Sequence, residues 1–168
     1  MSQENVEVVR ASMDAFLAVE FERALSYYCE DVVFQPLVGG PYHGRSGVAQ
    51  QMQTWVDEFN DYWFEVDELI DAEDQVVLLW RDGGVGKSSG VRVEQEAATI
   101  YTVDDGCISH ARVYADRARA LEAAGLREQT PGLLLSRPPR PYSGNFERPC
   151  RPSAALLLVA FREVPKGF

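Results

Sequence analysis

Histidine and cysteine are scarce in this chain: two histidines and three cysteines in 168 residues, with no CxxC spacing. That shortage argues against a zinc site and against a disulfide framework, so Cys29, Cys107 and Cys150 are expected as reduced thiols, with no metal bound. Long hydrophobic runs are missing too. The longest, such as Ala154–Phe161, fall far short of a membrane span, and the first ten residues, MSQENVEVVR, lack the apolar core of a signal peptide. A cytoplasmic protein without membrane contact is the expectation. Positive charge is sparse over residues 1–128, where acidic side chains outnumber basic ones by more than two to one, and the whole chain carries −10. An acidic body repels phosphate backbones and anionic lipid, which argues against nucleic acid and membrane surfaces as partners of this part of the chain.

Proline is rare over the same stretch and abundant after it. Seven of nine prolines follow residue 128, and the remaining forty residues lean basic. The run SRPPRPYSGNFERPCRPS cannot hold a continuous helix or a central strand. Two regions are therefore expected: 1–128 as one folded domain, and 129–168 as a proline-rich basic tail of flexible or polyproline type. With 46% hydrophobic and 25% charged residues, the chain has an ordinary globular composition and enough length for one core.

Within the domain, periodicity supplies the elements. Val6, Val9, Met13, Phe16 and Leu17 recur at three- and four-residue spacing, as on one face of a first helix. Phe21, Ala24, Leu25 and Tyr28 share the face of a second, shorter helix. Val32-Val33-Phe34 reads as a strand. A third helix is expected from Gly44, with Val48, Met52, Trp55, Val56 and Phe59 on one side. Strands follow over 62–71, 75–82, 91–103 and 107–114, with 83–90 as a loop. That loop holds Gly86-Lys87-Ser88, yet the residue five before Gly86 is Arg81 and an alternating strand pattern follows, so no phosphate-binding loop is predicted. Asp105-Gly106 between two β-rich runs predicts a tight hairpin. Asp116 stands at an N-cap position and Gly125 at a C′ position, which together bracket a short closing helix.

Taken in order, these pieces resemble the SnoaL-like branch of the NTF2-like superfamily, the polyketide cyclase and ketosteroid isomerase type of cone. The resemblance covers roughly residues 4–128. It rests on the amphipathic first helix, Glu30-Asp31-Val32-Val33-Phe34, Tyr42-His43-Gly44 before the Trp55 helix, Arg81-Asp82-Gly83-Gly84, Ser89-Gly90, Asp104-Asp105-Gly106, Tyr114-Ala115-Asp116 and Ala120–Leu126. It implies an α+β fold: a curved, mostly antiparallel sheet wrapped around three N-terminal helices, with a short C-terminal helix. It does not imply one activity, because the superfamily holds isomerases, cyclases, epoxide hydrolases, dehydratases and proteins that only bind.

A cone of this kind leaves a pocket open at one end, and the pocket is the default site. Phe16, Phe34, Trp55, Phe59, Trp80 and Tyr101 are the aromatic candidates for its lining, and they suit a small hydrophobic molecule. On the last strand, Ile108, His110, Arg112 and Tyr114 share one face by the two-residue period, with Ser109, Ala111 and Val113 on the other. Facing inward, His110, Arg112 and Tyr114 form an acid–base set; facing outward, they belong to a dimer surface or to solvent. His110 and Asp116 are the candidate catalytic residues; cyclase-type relatives imply an Asp from this region, although Asp116 also fits a helix cap.

Two comparisons inside the superfamily narrow the chemistry. The isomerase register, an Asp before a Pro nine residues ahead of a helix-opening glycine, falls here on Gln35-Pro36 with Gly44. Glutamine cannot abstract a proton, so Gln35 is expected to line the cavity only. The Asp-Arg-Asp network of limonene-type epoxide hydrolases finds Arg112, but Val113 where a carboxylate is needed. Two readings remain open: a cofactor-free enzyme of cyclase, isomerase or hydrolase type, and a non-catalytic ligand-binding or accessory domain. Apolar residues on both faces of strands such as 76–81 further predict a homodimer through the outer face of the sheet.

Overall fold

The computed structural model describes residues 2–126; the expected tail at 129–168, and Cys150 with it, lies outside them. Ten elements run in order: α1 (Ser2–Leu17), α2 (Phe21–Ser26), β1 (Tyr28–Gln35), β2 (Tyr42–His43), α3 (Gly44–Glu58), β3 (Phe59–Ala72), β4 (Gln75–Gly86), β5 (Arg92–Asp104), β6 (Cys107–Tyr114) and α4 (Arg117–Ala123). The strands form one six-stranded sheet in the order β2-β1-β6-β5-β4-β3, antiparallel except where β1 runs parallel to β6. This is the α+β architecture expected: a curved, unclosed sheet with α1, α2 and α3 on its concave side.

The stripe on α1 buries Val9 and Met13 against Val76, Leu78 and Trp80 of β4. Burial of one such side chain is worth about 1.5–3 kcal/mol. Ser12, buried on the same helix, donates to the Ala24 carbonyl at 3.1 Å and ties α1 to α2. Alternation along the strands sends Val77 of β4 and Ala98 and Ile100 of β5 to the convex face, where Ala120 of α4 covers them. The turn after β5 has φ of +49° at Asp105 and +80° at Gly106, the pair of positive values that the Asp-Gly dipeptide predicts. Asp116 caps α4 by accepting from the amides of Ala118 (2.9 Å) and Arg119 (3.3 Å).

Tyr28 and Phe59, expected on helices, instead open β1 and β3, and three larger features depart from the sequence reading. First, β4 does not stop at Asp82 but continues through Gly86, so half of the expected loop is strand. Gly83 pairs with Trp63 and Gly84 lies under Phe59; these aromatic neighbours fill the space that side chains would occupy. Second, Cys29 and Cys107 are joined in a disulfide rather than free, with their Cα atoms 5.2 Å apart. The parallel pairing of Tyr28 with Ile108 brings the two together across 78 residues of sequence. Third, β6 is bulged. Thr102 pairs with His110 while the next residue, Val103, pairs with Ile108, leaving Ser109 as the extra residue. Ile108 therefore joins the inner core with Ala111, and does not share a face with His110.

Candidate functional site

Between the concave face and the helices lies a cavity of about 140 Å³. Phe16, Phe34, Trp55, Trp80 and Tyr101, five of the residues selected from the sequence, line it. The rings interlock. Phe64 stacks on Trp80 with centroids 5.1 Å apart, and Phe16 meets Phe64 edge-on at 5.7 Å. The Trp80 indole donates to Thr99 Oγ1 at 2.9 Å, which fixes the ring plane across two strands. At the mouth, Pro36, Leu37 and Val38 form an apolar rim, and Val38 is 86% exposed.

The feature that sequence reasoning missed is Asp82. It follows Trp80 on the inward face of β4, lines the cavity, and is only 2% exposed. Trp55 Nε1 from α3 and the Tyr62 hydroxyl from β3 each donate to its Oδ2 at 3.0 Å. Burial raises the Asp82 carboxyl above its ordinary value of 3.8, while Gln95, Tyr62 and Trp55 oppose the shift by hydrogen-bonding the charged form. Tyr62 itself is held well above the usual tyrosine range, first by burial and then by the adjacent carboxylate. Tyr62 reaches Asp82 because β3 is bulged between Asn60 and Trp63, with Asp61 at a φ of +50°. Deeper in, burial pushes the Tyr28 hydroxyl up to about 12; it sits beside Ser12 and Tyr101 without a hydrogen bond of good geometry.

The other residues selected from the sequence lie elsewhere. His110, Arg112 and Tyr114 project from the outward face of β6, and with Asp116 and Gln35 they border an open groove on the convex side. There Arg112 stacks over the Tyr114 ring at 5.2 Å, and His110 Nδ1 lies 3.2 Å from Ser109 Oγ. Regular alternation after the Ser109 bulge accounts for this separation: the small apolar Ala111 and Val113 take the inward positions, which turns His110, Arg112 and Tyr114 outward. Gln35 Nε2 is 3.5 Å from the Pro36 carbonyl, outside the aromatic cavity. Phe59 packs behind the wall against Trp55 and Tyr62, with centroids at 5.7 and 6.2 Å. On the convex side Arg117 of α4 donates to the Trp80 carbonyl at 2.7 Å and to Asp67 at 2.6 Å, clamping the closing helix to β4 and β3.

Among the described residues, no group of three or more His, Cys, Asp and Glu side chains is placed to hold a metal ion, and no helix is long and apolar enough to cross a membrane. What the cavity offers chemically is one buried carboxylate, able to accept a proton or hydrogen bond when ionised and to donate one when protonated, in a setting of aromatic faces.

The family profile of the SnoaL-like domain matches residues 9–111, a stretch that begins on α1 and ends within β6. The chain belongs to the SnoaL-like domain family. Solved structures agree on the fold. TerC, crystallised with polyporic acid, is 19% identical and superposes with a TM-score of 0.59 over 73% of this chain and 98% of its own. An NTF2-like protein from Burkholderia thailandensis is 20% identical with a TM-score of 0.63, over 73% of this chain and 95% of that one. A protein of ketosteroid isomerase-like fold from Catenulispora acidiphila, in complex with trimethylamine, is 17% identical with a TM-score of 0.57, over 71% and 93%. Identities this low speak for the SnoaL-like fold alone. No match is found among curated proteins.

Proposed function

We propose that this SnoaL-like domain binds a small, largely hydrophobic molecule in its aromatic cavity and acts on it through Asp82, as a cofactor-free acid–base catalyst of the cyclase, isomerase or hydrolase type. One observation carries the reading: a carboxylate buried on the cavity wall and held by two neutral donors, Trp55 and Tyr62, at 3.0 Å each. A carboxyl whose titration is moved upward by burial is poised for proton transfer nearer neutral pH. Two fold neighbours hold small molecules, one named as an acid and the other an amine, so fold likeness supports binding without choosing a ligand.

The experiment is a panel of single-ring aromatic compounds screened by ligand-observed NMR, followed by assay of the binders for isomerisation, cyclisation or hydrolysis. Asp82→Asn should abolish any turnover, whereas His110→Ala and Asp116→Ala, on the convex side, should leave it. The reverse pattern would move the chemistry to the convex groove, and absence of binding across the panel would remove the cavity from consideration. The non-catalytic reading is favoured by one feature: besides Asp82, only tyrosines among the described cavity-lining residues can titrate. Binding without turnover of any bound compound would establish it.

Self-association through the outer face of the sheet belongs to the same proposal, now restricted to the part of that face that α4 leaves open. Light scattering on the full chain at micromolar concentration tests it, and a clean monomer counts against it. A cytoplasmic place of work is tested by the redox state of Cys29 and Cys107 in cells, since disulfides persist mainly in oxidising compartments.

A further inference from the structure

We propose that the ligand of this cavity carries a positive charge: a protonated amine or quaternary ammonium of about one ring in size, its nitrogen directed at Asp82 and its carbon skeleton against Phe16, Trp55 and Tyr62. The inference rests on the reading of the cavity as a ligand site and adds the charge class of what it takes. Among the described residues that line the cavity, Asp82 is the one that carries a charge, and no lysine, arginine or histidine is among them. Its partners, Trp55, Tyr62 and Gln95, are all neutral.

A carboxylate 2% exposed is normally paired with a cation or heavily penalised for being charged. Here neutral donors hold it in place and leave its charge uncompensated, which is an arrangement that a cationic ligand completes. The aromatic lining adds to the same preference wherever a bound cation meets a ring face, because the negative face of an aromatic ring attracts ammonium groups and disfavours anions. The other titratable groups of the wall, Tyr28, Tyr62 and Tyr101, are kept protonated by burial and bring no competing charge. Outside the cavity, a chain of net charge −10 attracts cations and repels anions at long range. Size sets the scale of what fits inside: an apolar cavity of about 150 Å³ takes one benzene ring, and this one is about 140 Å³.

The test is calorimetric titration of the full chain at neutral pH with three compounds of one shape: benzylamine, benzyl alcohol and benzoate. Benzylamine should bind about tenfold or more tightly than benzyl alcohol, as a charge-assisted contact in a buried site requires, and benzoate should not bind. Acidification that protonates Asp82 should bring the first two affinities together, and in Asp82→Asn their ratio should fall to near one. Should that variant fail to fold, the pH series on the unaltered chain carries the test. Benzyl alcohol or benzoate binding as well as benzylamine overturns the charge class while leaving the cavity a binding site. If none of the three binds, both readings fall together.

Discussion

Trp55 and Tyr62, one from α3 and one from β3, converge on the same oxygen of Asp82, each at 3.0 Å. The buried carboxylate thereby joins a helix to two strands. Removing either donor leaves the charge less solvated by the protein. Tyr62→Phe should destabilise the fold by about 1–3 kcal/mol, the range for depriving a buried polar group of a partner. It should also raise the titration of Asp82 further. Urea denaturation at neutral pH measures the first effect, and carboxyl-detected NMR titration the second. An unchanged midpoint would mean that the bond contributes nothing net.

Stability should depend on pH through Asp82 with a definite sign. Its carboxyl titrates above 3.8 in the folded chain because burial disfavours the charge, and near 3.9 when unfolded. Below the unfolded value both states are protonated and the side chain contributes fully. As pH rises through the folded value, the native state must carry a buried charge and the contribution is lost. The stability of the wild type relative to Asp82→Asn should therefore fall as pH rises from the unfolded value of about 3.9 through the higher folded one. A difference that grows with pH would contradict the environment described.

The Cys29–Cys107 bond closes a long loop, so reduction should lower stability on the order of 4 kcal/mol by releasing unfolded-chain entropy. Thermal melts with and without excess dithiothreitol measure it. The Cys29→Ser/Cys107→Ser double variant should show the same loss and no further response to reductant. Thiol titration of the denatured, unreduced chain should find one free cysteine of the three in the sequence.

Two glycines should respond differently to one methyl group. A Cβ at Gly83 would stand 2.5 Å from the Val93 carbonyl and 2.9 Å from the Trp63 ring, whereas a Cβ at Gly40 meets nothing within 4 Å. Gly83→Ala should cost about 1–3 kcal/mol through forced backbone movement, and Gly40→Ala should be close to neutral. Paired denaturation curves decide.

Deletion of residues 129–168 should leave a cooperatively folding domain, because β6 and the capped α4 already close the fold before Leu126. A melting midpoint within a few degrees of the full chain supports this. Aggregation would mean that the Ala154–Phe161 run covers the core.

The legible parts of the sequence were those governed by local rules. Asp105-Gly106 specified its turn, Asp116 and Gly125 bracketed α4, and three- and four-residue spacing found the helices that deliver Phe16 and Trp55. The rest depended on contacts between residues distant in sequence. Asp82-Gly83-Gly84 has the composition of a turn, and pairing with β3 and β5 on either side carries β4 through it, with Phe59 and Trp63 packed over its glycines and Asp82 inside. Tyr62 gave no sign of its role because its direction is set by the bulge at Asp61. One extra residue, Ser109, moved Ile108 off the face that simple alternation gives it. The disulfide likewise follows from a parallel pairing that no spacing of cysteines encodes.

Arg117 grips the backbone of Trp80 from outside the cone while the indole of Trp80 forms part of the inner wall. Libraries built to retune this protein for a new ligand would naturally be confined to the concave side. They would overlook a lever on the far side: a substitution at position 117, with no line of sight to the ligand, slackens the attachment of one wall panel. Improved variants from an unbiased selection should accordingly include positions 67, 81 and 117, whose side chains share that ionic clasp.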